Sequence, residues 1–328
     1  MPSPGNNSTV RRLEEQVLSG REITRDEACL IASVSGTQTA DLFASANRIR
    51  DRFRGETIDL CSIINAKSGG CPEDCAYCAQ SVRSSSEISR FPLLDRDRML
   101  EAALKAKEAG TKRFCIVTGG RKPTDKELAV IAETVSAVRA AGLLPCATLG
   151  LLQENELAAL KRAGLERYHN NLETSERFFP EICTTHTYQD KQRTISAAQA
   201  AGLSVCSGGI FGLGEDWADR IDMAFALKEL SPDSVPINFL TPVRGTRLQS
   251  RPPLPPLEAL KIVSLYRFIL PAKEIRVCGG RMQTLGDLHP LIFFAGADGL
   301  LTGDYLTTLG RSFADDLRMI SEFGLRTA

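Results

Sequence analysis

Apolar and polar positions along the chain follow two periods that take turns from residue 57 onward. Short runs of β-branched and apolar residues alternate with longer stretches that have the period of an amphipathic helix. The strand-like runs lie near 57–66, 113–118, 143–149, 165–171, 203–208, 233–239, 274–279 and 298–302, and the helix-like stretches include 95–109, 124–141, 187–201, 216–230 and 256–270. Eight strands alternating with helices over about 250 residues predict an α/β fold, a (β/α)8 TIM barrel, with a doubly wound sheet as the alternative.

The ends of the predicted helices carry their own signals. Residues 24–27 and 124–127 both have the pattern Thr-x-x-Glu, a capping box in which the two side chains satisfy the first free N–H groups of a helix. Glycines stand where four helices should end, at positions 110, 142, 164 and 202. These signals support the helical stretches independently of their periodicity.

The regions before the first strand predict a helical extension. Residues 1–10 are polar and rich in Ser, Asn and Pro, which predicts a disordered tail. Residues 11–54 look helical, and residues 55–328 form the predicted barrel. The densest proline cluster, residues 251–256, stands just before a helix and is interpreted as a stiff loop within one domain.

Composition narrows the function. The chain has 328 residues, 43% of them hydrophobic, with 40 basic and 40 acidic side chains, so it has no net charge to attract nucleic acid or an anionic membrane. The first residues lack an apolar signal segment, and no apolar run approaches the roughly 20 residues of a membrane span. A cytoplasmic enzyme is therefore expected. In such a chain, ten cysteines point to metal binding or catalysis rather than to disulfides.

Three of the cysteines form a compact loop between the first strand and a helix. Cys71, Cys75 and Cys78 have the spacing C-x3-C-x2-C, with no histidine nearby. Zinc sites more often use four ligands in two pairs. Three thiolates on a 4Fe-4S cluster leave one iron open to a small molecule with an amine and a carboxylate, as radical chemistry on S-adenosylmethionine requires.

The loop resembles the hallmark of the radical S-adenosylmethionine superfamily, since an aromatic residue precedes its last cysteine. Residues 70–81, 206–215 and 234–238 are similar to the biotin synthase family in particular, and the resemblance runs from about residue 20 to about residue 325. It implies a complete (β/α)8 barrel that inserts sulfur into dethiobiotin. It also implies an auxiliary iron–sulfur cluster as the sulfur source, an electron donor of flavodoxin or ferredoxin type, and a homodimer.

By this resemblance, the auxiliary cluster is held by Cys115, Cys146 and Cys206 on three separate strands, with Arg276 as fourth ligand. The sequence departs from the family pattern at Cys278, which lies two residues after Arg276 and so shares its face of the strand. A thiolate binds iron better than a protonated guanidinium. We therefore hypothesise that Cys278 is the fourth ligand. Four thiolates would suit a four-iron cluster in place of the usual 2Fe-2S cluster.

The resemblance also assigns contacts to substrate and cofactor. Asn171, Asn238 and His169 are expected to contact dethiobiotin, because an amide offers both a donor and an acceptor to a cyclic urea. His169 and Glu173 stand where asparagine and aspartate are usual in the family. The residues expected at S-adenosylmethionine are Tyr77 and Ile210 near the adenine, Glu173 at the ribose, Lys191 near the carboxylate and Gly119 near the amine.

Two other classes of function stay open on the sequence. One is another radical enzyme with a similar barrel, such as a maturase or an amino-acid mutase, which would have no need of the three barrel cysteines as a set. The other is a non-catalytic iron–sulfur or zinc protein. No role is assigned to five further residues, which are Cys29, Cys61, Cys183, His186 and His289.

Overall fold

The computed structural model describes residues 5–304, 306 and 310–328, and of residues 5–8 it describes the backbone only. Ten strands form its sheet. They are β1 (Thr57–Lys67), β2 (Arg113–Thr118), β3 (Leu144–Thr148), β4 (Arg167–His169), β5 (Ser204–Cys206), β6 (Gly209–Phe211), β7 (Ser234–Phe239), β8 (Glu274–Val277), β9 (Gly299–Leu301) and β10 (Arg326–Thr327). All eight predicted strand runs are confirmed.

The sheet closes on itself. Parallel pairing runs in the order β1, β2, β3, β4, β5, β7, β8 and β9, and β9 pairs with β1 through Asp59 and Gly299. A doubly wound sheet would keep two open edges, so the closure confirms the (β/α)8 barrel and excludes that alternative. The short strands β6 and β10 add to β7 and β1 respectively.

Helices surround the barrel. They are α1 (Gly5–Leu18), α2 (Arg25–Ser33), α3 (Gln38–Arg54), α4 (Arg96–Glu108), α5 (Asp125–Ala140), α6 (Glu154–Arg162), α7 (Phe179–Ile182), α8 (Tyr188–Ala200), α9 (Trp217–Leu230), α10 (Pro256–Ile269), α11 (Arg281–Leu285) and α12 (Phe313–Glu322), with a 3-10 helix at Gly286–Ile292. Both predicted capping boxes form, at Thr24 and Thr124. In the part of the chain that the structure describes, every helix is too short or too polar to cross a membrane.

The N-terminal segment differs from the expected disordered tail. Helix α1 begins at Gly5, so residues 5–10 are helical, while residues 1–4 lie outside the described residues. The reason is a buried apolar stripe at helical spacing, Val10, Leu13 and Val17, each no more than 1% exposed. This stripe extends the helix into a segment whose polar composition alone suggested disorder. Helix α1 packs against α3, which in turn packs against α10 of the barrel.

Strand β6 lies outside the predicted strand runs. It follows the run at 203–208, and its residues Gly209 to Phe211 pair with Ile237 to Phe239 of β7. Glycine is needed just before it, because a Cβ on Gly208 would lie 2.0 Å from the carbonyl oxygen of Pro236. The close approach holds β6 over the carboxyl ends of the barrel strands, where barrel enzymes build their sites.

Candidate active site

The carboxyl ends of the strands surround a cavity of about 440 Å³ inside the barrel. A volume of this size suits a small-molecule ligand. Strands β1 to β9 all contribute lining residues. Of the predicted site residues, the cavity is lined by Cys71, Tyr77, Cys78, Cys115, Gly119, Cys146, His169, Asn171, Glu173, Cys206, Ile210, Asn238, Arg276 and Cys278. The two that lie outside this lining are Cys75 and Lys191.

The three-cysteine loop closes one side of the cavity mouth. Cys71 and Cys78 face the cavity, and backbone N–H groups donate to both sulfurs: those of Glu73 and Gly120 to Cys71, and those of Gln80 and Ser81 to Cys78. Burial raises the pKa of both thiols, to about 11 for Cys78, while the N–H groups oppose the shift. Buried thiols with donors already aimed at them suit thiolates bound to a metal rather than free acids.

Cys75 points to the other side of the loop. It lines a second cavity of about 180 Å³ together with Cys78, Arg83 and Arg247. Its sulfur lies 3.9 Å from the sulfur of Cys183. The hydrogen bond between the two thiols raises the pKa of Cys75 and lowers that of Cys183 to about 4. Cys183, which had no predicted role, therefore contacts a predicted cluster ligand.

A polar network beneath the loop fixes its shape. Glu73 accepts hydrogen bonds from Thr185 Oγ1 and His186 Nδ1, both at 2.5 Å, and an ion pair from Arg121 Nη1 at 3.3 Å. His186 is buried, and its Nε2 has no hydrogen-bond partner among the described residues. Its Nδ1 bonds to Glu73 inside the cysteine loop, so His186 helps to hold that loop in place. His289 is held by Arg281 and Arg311 at a distance from the cavity lining.

Deeper in the barrel, five thiols face the cavity. Four are the predicted ligands of the auxiliary cluster, and the fifth is Cys61 on β1, which had no predicted role; the full set is Cys61, Cys115, Cys146, Cys206 and Cys278. Cys115 and Cys146 are register partners on adjacent strands. A hydrogen bond from Cys61 is the main cause that lowers the pKa of Cys146, to about 7. Burial raises the pKa of Cys206 to about 11 and that of Cys278 to about 12.

Arg276 lines the same cavity, but its guanidinium group is bound by other residues of the protein. Its Nη2 forms ion pairs with Asp59 and Glu274, and its Nη1 donates to the carbonyl oxygen of Leu300 at 2.8 Å. Burial opposes the charge, yet Glu274 and Asp59 raise the pKa of Arg276 well above its ordinary value. The arrangement keeps Arg276 protonated, without a lone pair to offer iron.

Two more arginines that the sequence did not single out share this wall. Arg113 pairs with Asp59 at 3.2 Å, and Arg167 pairs with Glu274 at 3.2 Å. Within the part of the chain that the structure describes, the buried Nη1 of Arg113 has no hydrogen-bond partner. Three guanidinium groups against two carboxylates give the wall a positive charge, and an orphaned N–H fits a buried anion such as a thiolate-bound iron–sulfur cluster. The sequence did contain a signal for Arg113. It lies two residues before Cys115, so both side chains point to the same face of β2.

His169, the last residue of β4, and Asn171, two residues after it, form a chain of hydrogen bonds on the inner face. His169 Nδ1 lies 2.9 Å from Thr148 Oγ1, and its Nε2 lies 2.8 Å from Asn171 Oδ1. An amide oxygen only accepts, so Nε2 carries the proton and Thr148 donates to Nδ1. Burial lowers the pKa of His169 to about 4, which keeps the imidazole neutral.

The two predicted urea-binding amides are partly used by the protein itself. Asn171 Oδ1 accepts from His169 and from Gly208 N, while its Nδ2 donates to Glu173. Asn238 donates to the Gly209 carbonyl at 3.1 Å and accepts from Gly279 N at 3.0 Å. Each amide keeps one N–H for a ligand, and only Asn238 keeps an unused acceptor lone pair.

The predicted cofactor contacts lie around Glu173. The backbone of Glu173 has a φ of +74°, in the left-handed region. A residue with a side chain adopts this conformation at a cost in free energy, and such residues cluster at functional sites. Nζ of Lys191 lies 3.9 Å from Oε1 of Glu173, and Lys191 itself does not line the cavity. Tyr77 and Ile210 pack in one apolar cluster at the mouth. Gly119 lies opposite the cysteine loop, where a Cβ would come within 2.3 Å of Gln80 Oε1.

Comparison with known proteins agrees with this site. Residues 66–227 match the Radical SAM superfamily, and residues 236–326 match the Biotin and Thiamin Synthesis associated domain. The chain is 52% identical over 296 residues to the biotin synthase of Thermodesulfovibrio yellowstonii, covering 90% of this chain and 93% of the relative. It is 48% identical to the biotin synthase of Heliobacterium modesticaldum, covering 97% and 98% of the two chains.

Solved structures share the fold. A methylornithine synthase superposes with a TM-score of 0.85 at 21% identity, covering 96% of this chain and 97% of that one. The FeFe-hydrogenase maturase HydG from Carboxydothermus hydrogenoformans superposes with a TM-score of 0.83 at 19% identity, covering 98% and 79%. At these identities, the likeness establishes the barrel and leaves the reaction to be argued from the site.

Proposed function

The chain belongs to the biotin synthase family of radical S-adenosylmethionine enzymes, and from this premise we propose that it converts dethiobiotin to biotin by inserting sulfur. The observation that carries the proposal is a single cavity that joins two groups of thiols. Cys71 and Cys78 stand at its mouth, and Cys115, Cys146 and Cys206 stand on its inner wall. Radical generation accounts for the first group only, whereas sulfur insertion requires both.

The thiols at the mouth fit the family's 4Fe-4S cluster and S-adenosylmethionine. When bound, these groups supply a carbon radical that removes hydrogen from substrate, and an auxiliary cluster supplies the sulfur. Cys71, Cys75 and Cys78 would hold the first cluster. Tyr77 and Ile210 would cover the adenine with apolar surface, and a carboxylate oxygen of Glu173 would accept from the ribose hydroxyls.

Lys191 supports this arrangement indirectly. Because it lies beside Glu173 rather than in the cavity lining, its charge orients that carboxylate more directly than it reaches a methionine carboxylate. Gly119 leaves room next to Gln80 and the cysteine loop for the methionine end of the cofactor.

The inner wall suits an auxiliary cluster held by four thiolates, with Cys278 as the fourth ligand. Arg276 is tied to Asp59 and Glu274, so its role is to offset the negative charge of the cluster rather than to bind iron. Cys61 adds a fifth thiol beside Cys146. A wall of this composition favours a four-iron cluster over a two-iron cluster with an arginine ligand.

The substrate would lie between the two groups of thiols, against β4 and β7. Asn171 and Asn238 can direct their remaining N–H groups to the ureido carbonyl oxygen, and Asn238 can also accept from one ureido N–H. His169, kept neutral by its burial and oriented by Thr148 and Asn171, would present an uncharged ring to the substrate. The uncharged surface formed by these three side chains suits a neutral cyclic urea, because no charged group there has to be buried without a counterion.

The family reaction also needs a reductant, which we propose to be a one-electron protein of flavodoxin or ferredoxin type. Arg83 and Arg247 flank the outer side of the cysteine loop and would favour an acidic donor. The resemblance further predicts a homodimer, which sedimentation of the purified chain would test.

The decisive experiment is anaerobic turnover of cluster-replete protein with dithionite, S-adenosylmethionine and dethiobiotin, followed by mass spectrometry. We expect both 5′-deoxyadenosine and biotin. Deoxyadenosine without biotin would instead support another radical enzyme of similar barrel. No deoxyadenosine at all would overturn the radical assignment, and an iron-to-zinc ratio near zero would identify a zinc protein.

A further inference from the structure

Cys183 lies against Cys75 without any part in the function proposed above. The two sulfurs are 3.9 Å apart, and Cys183 is only 3% exposed. A disulfide is about 2.05 Å long, so the atoms are in contact but unbonded. All ten cysteines are free in this structure. A thiol this close to a cluster ligand is a chemical partner for it whenever the cluster is absent.

The backbone holds the two thiols together. The N–H of Ala76 donates to the carbonyl oxygen of Ile182 at 2.9 Å, which joins the residues adjacent to Cys75 and Cys183. Arg247 Nη2 bridges the same two segments, since it donates to the carbonyl oxygens of Asp74 at 2.8 Å and Ile182 at 2.9 Å. The approach of the sulfurs is therefore built into the framework and does not depend on a free rotamer.

The carboxylate of Asp74 adds a second tie from within the cysteine loop. It accepts from the backbone N–H of Thr184 at 2.9 Å and from that of Thr185 at 3.3 Å. These bonds use only local groups and would persist when the loop holds no metal. The cluster-free loop should consequently keep Cys75 beside Cys183.

A path leads to Cys75 from outside the barrel. The cavity of about 180 Å³ on this side of the loop is lined by Cys75 and by the cationic side chains of Arg83 and Arg247. Asp74 also lines it, so the two arginines leave a net positive charge of one, which favours a small anionic disulfide such as oxidised glutathione. The oxidant can therefore reach this pair without passing through the substrate cavity.

We propose that Cys75 and Cys183 form a reversible disulfide in the cluster-free protein. The proposal rests on the assignment of Cys75 as a cluster ligand. A thiolate of the pair attacks the small disulfide, forms a mixed disulfide and releases one thiolate. The second thiolate of the pair then attacks the cysteine sulfur of the mixed disulfide, which forms the Cys75–Cys183 bond and releases the other small thiolate. Two thiols are oxidised, one small disulfide is reduced to two thiols, and the protons pass to the leaving thiolates.

The disulfide would protect the loop between losses and rebuilding of its cluster. A cysteine that lacks a resolving partner proceeds to sulfinic acid, which thiols do not reverse. A dithiol reopens a disulfide and returns Cys75 for iron binding. Cys183 would thus make the oxidation of Cys75 reversible.

The test uses the full chain, stripped of iron, reduced and then exposed to oxidised glutathione without oxygen. Free thiols are alkylated in acid, and tryptic peptides are mapped by mass spectrometry. The expected product links peptide 68–83 to peptide 178–191, with fragmentation placing the bond at Cys75 and Cys183. The link should vanish in Cys183→Ser and persist in Cys29→Ser, whose cysteine is exposed on α2.

A second readout is recovery of the loop after damage. After a cycle of hydrogen peroxide and dithiothreitol, Cys183→Ser should carry roughly two-fold or more Cys75 sulfinic acid than the wild type and Cys29→Ser. A bond from Cys183 to Cys71 or Cys78, no bond in the wild type, or equal sulfinic acid in all three proteins would overturn the proposal. Because these measurements use cluster-free protein, they stand apart from turnover, so a failure of the proposed function would be seen separately.

Discussion

The loop at the mouth and the wall inside the barrel both gather thiols, but they do so by different means. In the loop, Cys71 and Cys78 are close in sequence, and backbone N–H groups of neighbouring residues already point at their sulfurs. The wall draws its thiols from β1, β2, β3 and β5 and from the residue that follows β8. There, charge is supplied by buried arginines rather than by the backbone.

The difference teaches how each site can change. In the loop, backbone N–H groups donate to the thiols. A substitution that changes the shape of the loop also removes these donors, so we expect the loop to tolerate few substitutions. The wall is built from independent side chains, so a thiol such as that of Cys278, just after β8, can be added there by a single substitution. The proposed auxiliary cluster could therefore change its ligands one at a time, which the loop does not allow.

The largest expected effect separates the two regions outright. Cys71→Ala should abolish S-adenosylmethionine cleavage, lowering deoxyadenosine formation roughly 10³-fold or more, because the cluster at the mouth loses a ligand. Iron in the wall should remain, as seen by Mössbauer spectroscopy. Cys29→Ser is the control. Loss of both iron pools in Cys71→Ala would show that the two regions fold as one unit.

The converse substitution in the wall should spare the mouth. Cys115→Ala should lower biotin formation roughly 10²-fold or more, while deoxyadenosine formation stays within a few-fold of wild type, since only the sulfur source loses a ligand. Both products are measured in one anaerobic assay. Equal loss of both products would mean that the wall controls radical generation as well.

A third comparison lies within the wall, between Cys278 and Arg276. Cys278→Ala should change the Mössbauer signature of the auxiliary cluster and lower biotin formation roughly tenfold or more. Arg276→Ala should leave the ligand set intact but lower the free energy of unfolding by about 2 kcal/mol, because the buried Glu274 and the half-buried Asp59 each lose one of two guanidinium partners. If only Arg276→Ala disturbs the cluster spectrum, Cys278 is not the ligand.

The smallest effect concerns His169 and appears only in acid. Its pKa is about 4 in the folded chain and about 6.5 when unfolded, so the unfolded chain binds more protons between these values. Its contribution to stability is complete above pH 6.5 and falls as the pH drops toward 4, by at most about 3 kcal/mol. His169→Asn should flatten that part of the stability curve in urea unfolding. An unchanged pH slope would contradict the buried, neutral histidine.

Most of the fold was predictable because its periodicity is local. The strand runs and the capping boxes at Thr24 and Thr124 follow from neighbouring residues, and all were confirmed. The start of helix α1, before residue 11, and strand β6 were not predicted for the opposite reason. The burial of Val10 at the head of the apolar stripe, and the pairing of Gly209 with β7, depend on partners distant in the chain.

The sequence by itself determined the three-cysteine loop and the parity of the barrel strands, since both depend on spacing within one segment. The tertiary structure decided which thiols meet. Barrel closure and stagger set Cys61 opposite Arg113 and Cys115 opposite Cys146, and they bring Cys61 to the thiol wall. The return of the chain after α7 sets Cys183 against Cys75. Such contacts depend on register between strands and on the packing of distant segments, which the order of residues in one segment does not specify.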